Sequence, residues 1–166
     1  ALAILATLNQ RANIRIQKSD KHHNIYSTSA LEGVFPFTID DDANVLWLEA
    51  DPGEYGSLLQ HAFKILKPML KEKLSIIVDS SEFFQTTKDG TAIKLGIGSS
   101  AAVSVGITQA LFQYQEIESS PRNLLTQANS IHQILQGKQG SGIDVTCCFA
   151  DQEVIECTKE SINNHT

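Results

Sequence analysis

The stretch from Ser99 to Gln115 has no polar face. Ala101, Ala102, Val103, Val105, Ile107, Ala110, Leu111 and Phe112 point in nearly every direction around a helix, and such a helix must be covered on most sides by other elements. The chain therefore has to supply both a sheet and further helices. Leu58, Leu59, Ala62, Phe63 and Leu66 share one face of a helix predicted over Ser57–Leu66, which Pro68 ends or bends. Ser120 and Pro121 are the N-cap and first-turn residues of another helix. It keeps Leu124, Ala128, Ile131 and Leu135 in step as far as Gln136 and stops at Gly137.

Strand signals surround these helices. Ala12 to Gln17 alternates Ile14 and Ile16 with Arg15 and Gln17, and with the apolar Ala1–Leu8 it suggests an antiparallel pair. Phe35 to Phe37 contains Pro36 and reads as an edge or loop. Leu74–Val78 is a compact apolar strand, and Val154–Cys157 is one more. Asp79 to Gly90 is polar and ends in the turn signal Asp89-Gly90. Strands and helices mix without strict alternation, so the expected class is α+β: a twisted, mainly antiparallel sheet packed against helices, in one domain spanning 1–166.

The acidic balance, with a net charge of -6, argues against a general nucleic-acid binder, which needs a basic surface. No apolar run approaches the roughly 20 residues of a membrane span. Cys147, Cys148 and Cys157 lack the paired spacing of a zinc site and are expected as buried thiols in a reducing, cytoplasmic setting. Asp40 to Asp42 is expected to be a solvated turn and Trp47 a core residue.

The chemistry is concentrated at two glycine-rich turns. In Lys94-Leu95-Gly96-Ile97-Gly98-Ser99-Ser100-Ala101-Ala102, Gly96 and Gly98 allow an anion to approach the backbone. Ser99 and Ser100 are placed to cap the following helix, whose unpaired N–H groups attract phosphate. A serine hydroxyl also suits the Mg²⁺ that accompanies a nucleotide. The plainer alternative is a tight turn before a buried helix. The second turn, Gln136-Gly137-Lys138-Gln139-Gly140-Ser141-Gly142-Ile143-Asp144, holds a carboxylate suited to accept a proton from a hydroxyl; its alternative is an Asx-turn at Asp144. Lys94 and Lys138 are candidate phosphate contacts or exposed lysines. His132, on the preceding helix, invites an acid–base role, though a packed or hydrogen-bonded histidine is the commoner outcome.

Gly-Ile-Gly-Ser-Ser-Ala-Ala resembles the Gly-Leu-Gly-Ser-Ser-Ala-Ala second motif of the GHMP kinases (galactokinase, homoserine kinase, mevalonate kinase and phosphomevalonate kinase), differing at Ile97. Lys94 ahead of it and Val103 to Val105 behind it look most like the phosphomevalonate kinase branch, and Gly140-Ser141-Gly142-Ile143-Asp144 is similar to the family's Gly-Ser-Gly-x-Asp. The resemblance implies the family's N-terminal ATP-binding domain, with a left-handed βαβ crossover around the phosphate loop. It implies ATP phosphates on Gly96, Ile97, Gly98, Ser99, Ser100, Ala101 and Ala102, and Mg²⁺ at Ser100. Ser141 and Gly142 would lie near the transferred phosphoryl or the substrate phosphate, and Asp144 would be the catalytic base.

The implied activity is ATP-dependent phosphorylation of a small metabolite, phosphomevalonate first in an isoprenoid-precursor pathway. Another GHMP kinase, acting on mevalonate or a sugar, or a non-catalytic regulator of the same fold are the alternatives. The family's lysine motif before Ala1 and its C-terminal glycine-rich motif are not in this sequence, so the domain is expected to be a fragment, inactive alone. Gln133 or Gln136 stands where mevalonate kinases often carry a Mg²⁺-binding glutamate, and Ala150-Asp151 stands where Gly-Gly often follows the aspartate segment. Acceptor and oligomeric state, including a homodimer, are not legible.

Overall fold

A computed structural model describes residues 2–137, 140–149 and 154–158. Lys138, Ala150 and Asp151, named above, lie outside the described residues. The described elements run β1 (Leu2–Ala6), β2 (Asn13–Lys18), β3 (Asn24–Thr28), β4 (Leu31–Ile39), β5 (Val45–Trp47), α1 (Glu54–Leu66), β6 (Leu74–Asp79), β7 (Phe84–Thr86), β8 (Ala92–Lys94), α2 (Ser99–Tyr114), α3 (Pro121–Leu135), α4 (Ile143–Cys147) and β9 (Val154–Thr158).

The main sheet has the order β2-β6-β3-β4-β5. Its pairings are antiparallel except for β3 with β6, which run parallel and are connected through β4, β5 and α1. Hairpin β7–β8 follows β6 and turns at Asp89-Gly90, with Gly90 at φ 86. The architecture is α+β, with a mainly antiparallel sheet covered by helices.

Two expectations are corrected. The two N-terminal strands do not pair with each other. β2 lies against β6, and β1 pairs with β9, Leu2 opposite Thr158. Alternation specifies a half-buried strand but not its partner, and the partner of β2 lies some sixty residues on. Phe35–Phe37 is neither edge nor loop but part of the nine-residue β4. Pro36 is tolerated there because its missing N–H is not needed: its carbonyl accepts the N–H of Leu48 at 2.9 Å, just beyond the end of β5.

The core lies between the sheet and α1, α2 and α3. Tyr26, Phe37, Leu74 and Ile76 from the sheet meet Leu59 and Phe63 of α1 and Ile107 and Leu111 of α2, all at most 2% exposed. Phe37 presents its ring edge-on to Phe63 at 5.9 Å, a favoured aromatic geometry. A smaller cluster, Ala101 and Val105 of α2, Ala128 of α3 and Val145 of α4, ties the three helices together away from the sheet.

α2 reaches β2 through a glycine. A Cβ on Gly106 would stand 2.6 Å from Ile14 Cγ1, so the close approach of helix and strand requires its absence. Gly106→Val is expected to destabilise the domain by about 2 kcal/mol through overpacking, and Ile14→Ala in the same chain to recover part of that loss. Urea-unfolding midpoints of the two single variants and the double variant check this; strictly additive losses would contradict the contact.

Candidate active site

The start of α2 is shaped by its backbone. Gly96 (φ 69) and Gly98 (φ 88) both occupy the left-handed region, and nothing lies within 4 Å of where a Cβ would be on either. The turn is therefore concave and open on the side a side chain would fill. Gly98 is itself the N-cap, with no side-chain cap, and its carbonyl takes the first helical hydrogen bond, from Ala102 N–H at 3.1 Å. This corrects the capping role expected of Ser99 and Ser100, which are the first two residues of the helix. Helix geometry gives the N–H groups of Ser99, Ser100 and Ala101 no intrahelical acceptor, and the helix dipole adds partial positive charge at the same place.

Freed from capping, the Ser100 hydroxyl turns to α3. Its Oγ lies 3.0 Å from His132 Nε2, and the same Nε2 lies 3.5 Å from Asp144 Oδ2. His132 has no exposed surface, while the Asp144 carboxylate is 38% exposed. Burial pushes the His132 pKa below the ordinary histidine value, and the nearby Asp144 charge opposes that shift. Burial thus favours the neutral imidazole.

Asp144 is set by the second glycine turn. Gly142, at φ 73, is the N-cap of α4, and a Cβ there would fall 2.5 Å from Asn129 Oδ1 on α3. Gly142 therefore brings the loop against α3 and does not present an open face. Gln133 Nε2 donates to the Gly140 carbonyl at 3.4 Å, a weak tie on the same loop. Asp144 Oδ1 accepts the neighbouring Val145 N–H at 3.0 Å, one residue on and not the two of an Asx-turn, while Oδ2 faces His132.

A cleft of about 540 Å³ joins the two turns. Ile97, Gly98 and Ala102 line it on one side, Asp144, Cys147 and Cys148 on another, and the segment 7–12 closes it. Arg11 is the one basic residue among its described lining residues; following a strand and lying far from both glycine turns in sequence, it carried no local signal. Cys148 is exposed, not buried as expected, yet the crowding of its surroundings raises its thiol pKa to about 11, with smaller contributions from Cys147 and Asp144. Lys94 is not in this cleft. It is exposed and borders a second hollow of about 360 Å³ on the other side of the loop, shared with Ser99, Ser100, Tyr26 and Tyr55. Ser141 is exposed at the surface of its turn.

Ser100, at the open start of α2, offers one hydroxyl oxygen, and Mg²⁺ bound together with a nucleotide needs few protein oxygens, completing its shell from phosphates and water. Among the described residues no group of three His, Cys, Asp or Glu side chains converges as a metal cage. Nor, among them, is any helix long and apolar enough to cross a membrane.

The neutral state of His132 makes stability depend on pH. The unfolded chain, with histidine near its ordinary value of about 6.5, takes up a proton before the folded chain does. Stability is therefore full above that value and falls as pH drops below it towards the folded pKa. His61, lowered by burial as well, adds to the slope. The urea midpoint should fall between pH 7.5 and 5.5, and His132→Gln should flatten that fall; an unchanged slope in the variant would contradict the burial argument.

Residues 57–152, more than half of the chain, match the family described as the GHMP kinases N terminal domain, and the match includes both glycine turns. A crystal structure of a Lin0012 protein from Listeria innocua has the same fold, with a TM-score of 0.72 at 24% sequence identity, covering 98% of this chain and 44% of that one. This chain thus spans less than half the length of that protein. No curated protein matches. The open glycine turn at the head of a buried helix and the aspartate turn facing it are features of the stretch that the family match covers, and the chain belongs to the GHMP kinase N-terminal domain family.

Proposed function

We propose that this domain binds the phosphates of ATP and supplies the base for phosphoryl transfer to a small acceptor, with phosphomevalonate the first candidate. One observation carries the reading: the open start of α2 and the Asp144 carboxylate border one cleft and are joined through Ser100 and His132. The concave backbone from Gly96 to Ala101 receives the anionic tail, with Ala102 on the cleft wall. Charge that builds on the transferred group is met by the N–H groups of Ser99, Ser100 and Ala101 and by the helix dipole. Asp144, partly exposed and anchored on one oxygen by its own turn, accepts the proton of the acceptor hydroxyl. Mg²⁺, held at Ser100 with the nucleotide, supplies neutralisation of phosphate charge. Lys94 is assigned to the nucleotide side of the loop, since it borders the hollow that Ser99 and Ser100 share. Lys138 and Ser141 are assigned to the phosphate of the acceptor, and Gly142 to shaping the turn that carries Ser141. The choice of phosphomevalonate rests on the residues around the loop, Lys94 and Val103 to Val105, and a cytoplasmic setting accords with that substrate.

A second reading, a ligand-binding regulator of the same fold without turnover, is favoured by Gln133. With Gln136 it is one of two glutamines where mevalonate kinases often carry a Mg²⁺-binding glutamate, and its amide donates to the Gly140 carbonyl.

Coupled assays of the full-length protein separate the two. Asp144→Ala is expected to cut turnover at least about a hundredfold, the low end for losing a general base, while the variant still binds MgATP. Turnover close to that of the unaltered protein would remove Asp144 from the mechanism, and nucleotide binding without turnover in the unaltered protein would favour the regulator. Ser100→Ala is expected to raise the KM for MgATP more than the KM for the acceptor; the reverse ranking would overturn its assignment to the nucleotide side.

A further inference from the structure

We propose that His132, in its neutral Nε2–H form, is a positioning residue that locks the Ser100 hydroxyl and the Asp144 carboxylate to one another, so that the nucleotide side and the base side of the site are set by a single ring. The inference rests on the roles given above to Ser100 and Asp144. Two oxygens face the same nitrogen, Ser100 Oγ at 3.0 Å and Asp144 Oδ2 at 3.5 Å. The other nitrogen, Nδ1, is buried and has no hydrogen-bond partner among the described residues.

A neutral imidazole carries one N–H and one bare nitrogen. With the proton on Nδ1, a buried donor would go unpaired and the Nε2 lone pair would face a carboxylate. With the proton on Nε2, the N–H is in hydrogen-bond reach of Ser100 Oγ at 3.0 Å and is attracted to the Asp144 carboxylate at 3.5 Å, and only an acceptor is left without a partner among the described residues. Leaving a buried donor unmet is the costly alternative, so the surroundings select Nε2–H.

This tautomer has consequences for both oxygens. Ser100 Oγ accepts from the ring, so its own proton and remaining lone pair are left to face outward. Asp144 has one oxygen on the Val145 N–H and the other turned towards the ring at 3.5 Å, which orients the carboxylate. α3 thus sets the separation of the two groups through one side chain, and Ala128, one turn earlier and fully buried against Ala101 and Val145, holds the helix at that distance.

Nitrogen-15 spectra of the full-length protein labelled at histidine, at pH 7.5, test the proposal without reference to activity, with the His132 signals assigned by their loss in His132→Gln. The expected pattern is a protonated Nε2 and a bare Nδ1; an Nδ1–H ring or an imidazolium overturns the proposal. In turnover, His132→Leu is expected to lower kcat roughly 10- to 100-fold, as removal of a supporting contact does at comparable sites. His132→Gln, whose amide N–H can reach the same oxygens, is expected to recover most of that loss. Ser100→Ala should cost less in the His132→Leu background than alone, since the two act as a unit. A folded His132→Leu protein with unaltered kcat, or full additivity with Ser100→Ala, would overturn the proposal; if that variant does not fold, the spectra of the unaltered protein decide. The outcomes are separable from the kinase reading: full turnover in Asp144→Ala removes the base but leaves the tautomer standing, whereas an Nδ1–H ring removes the link and leaves Asp144 as it was.

Discussion

Four small apolar side chains hold this site together. Ala101 and Val105 on α2, Ala128 on α3 and Val145 on α4 pack into one cluster, and the polar groups of the site are attached to it with almost no slack. Ser100 precedes Ala101, Asp144 precedes Val145, and His132 follows Ala128 by one helical turn, where residues four apart share a face. Two of the four are alanines, so the helix axes can approach closely enough for short side chains to meet. A larger residue at Ala128 would part α2 from α3 and pull His132 away from Ser100 without touching either. The main core beneath the sheet keeps the domain folded, and this satellite core gives the site its dimensions.

The electrostatic design follows from burial. A charged histidine between a helix start and a carboxylate would cancel part of the carboxylate's negative charge, and its own positive charge would sit unfavourably beside the positive end of the α2 dipole. Sealing His132 from solvent avoids both effects by keeping the ring neutral. Positive character at the loop then comes from backbone amides and the helix dipole, which need no counterion and do not titrate. An acidic chain can bind an anion on these terms, because the field at the site is local and the net charge of -6 is spread over the rest of the surface.

The elements that sequence made legible are those whose signals are local. α3 begins at Pro121 behind a Ser120 cap that accepts the Asn123 N–H, and it ends ahead of Gly137 at φ 65, as its residues foretold. The apolar run after Gly98 is a helix with nine buried residues. What stayed hidden is pairing at long range. Nothing in Ile14 and Ile16 names β6 as their neighbour, and nothing in Arg11 places it on the same cleft as Asp144. Cys148 looked like core because its neighbours in sequence are apolar, but the short α4 turns it outward onto the cleft. Ser100 shows the limit of a local signal: serine before a helix reads as a cap, but Gly98, one of two positive-φ glycines flanking Ile97, takes that position and leaves the hydroxyl for another partner.

His132 shows why such a site resists reading from sequence. Its role depends on which nitrogen carries the proton, and that depends on groups 32 residues before it and 12 after it. A helical pattern places the residue on the buried side of α3, where a packed histidine is the ordinary outcome, and the pattern can go no further. Only when α2 and α4 converge on the same face does the ring acquire two oxygens beside one nitrogen and, among the described residues, none beside the other. The asymmetry, more than the burial, separates a histidine that merely fills space from one that sets a distance. A space-filling ring would gain most by partnering both nitrogens, whereas this one has Nδ1 without a partner among the described residues and both oxygens on the side of Nε2.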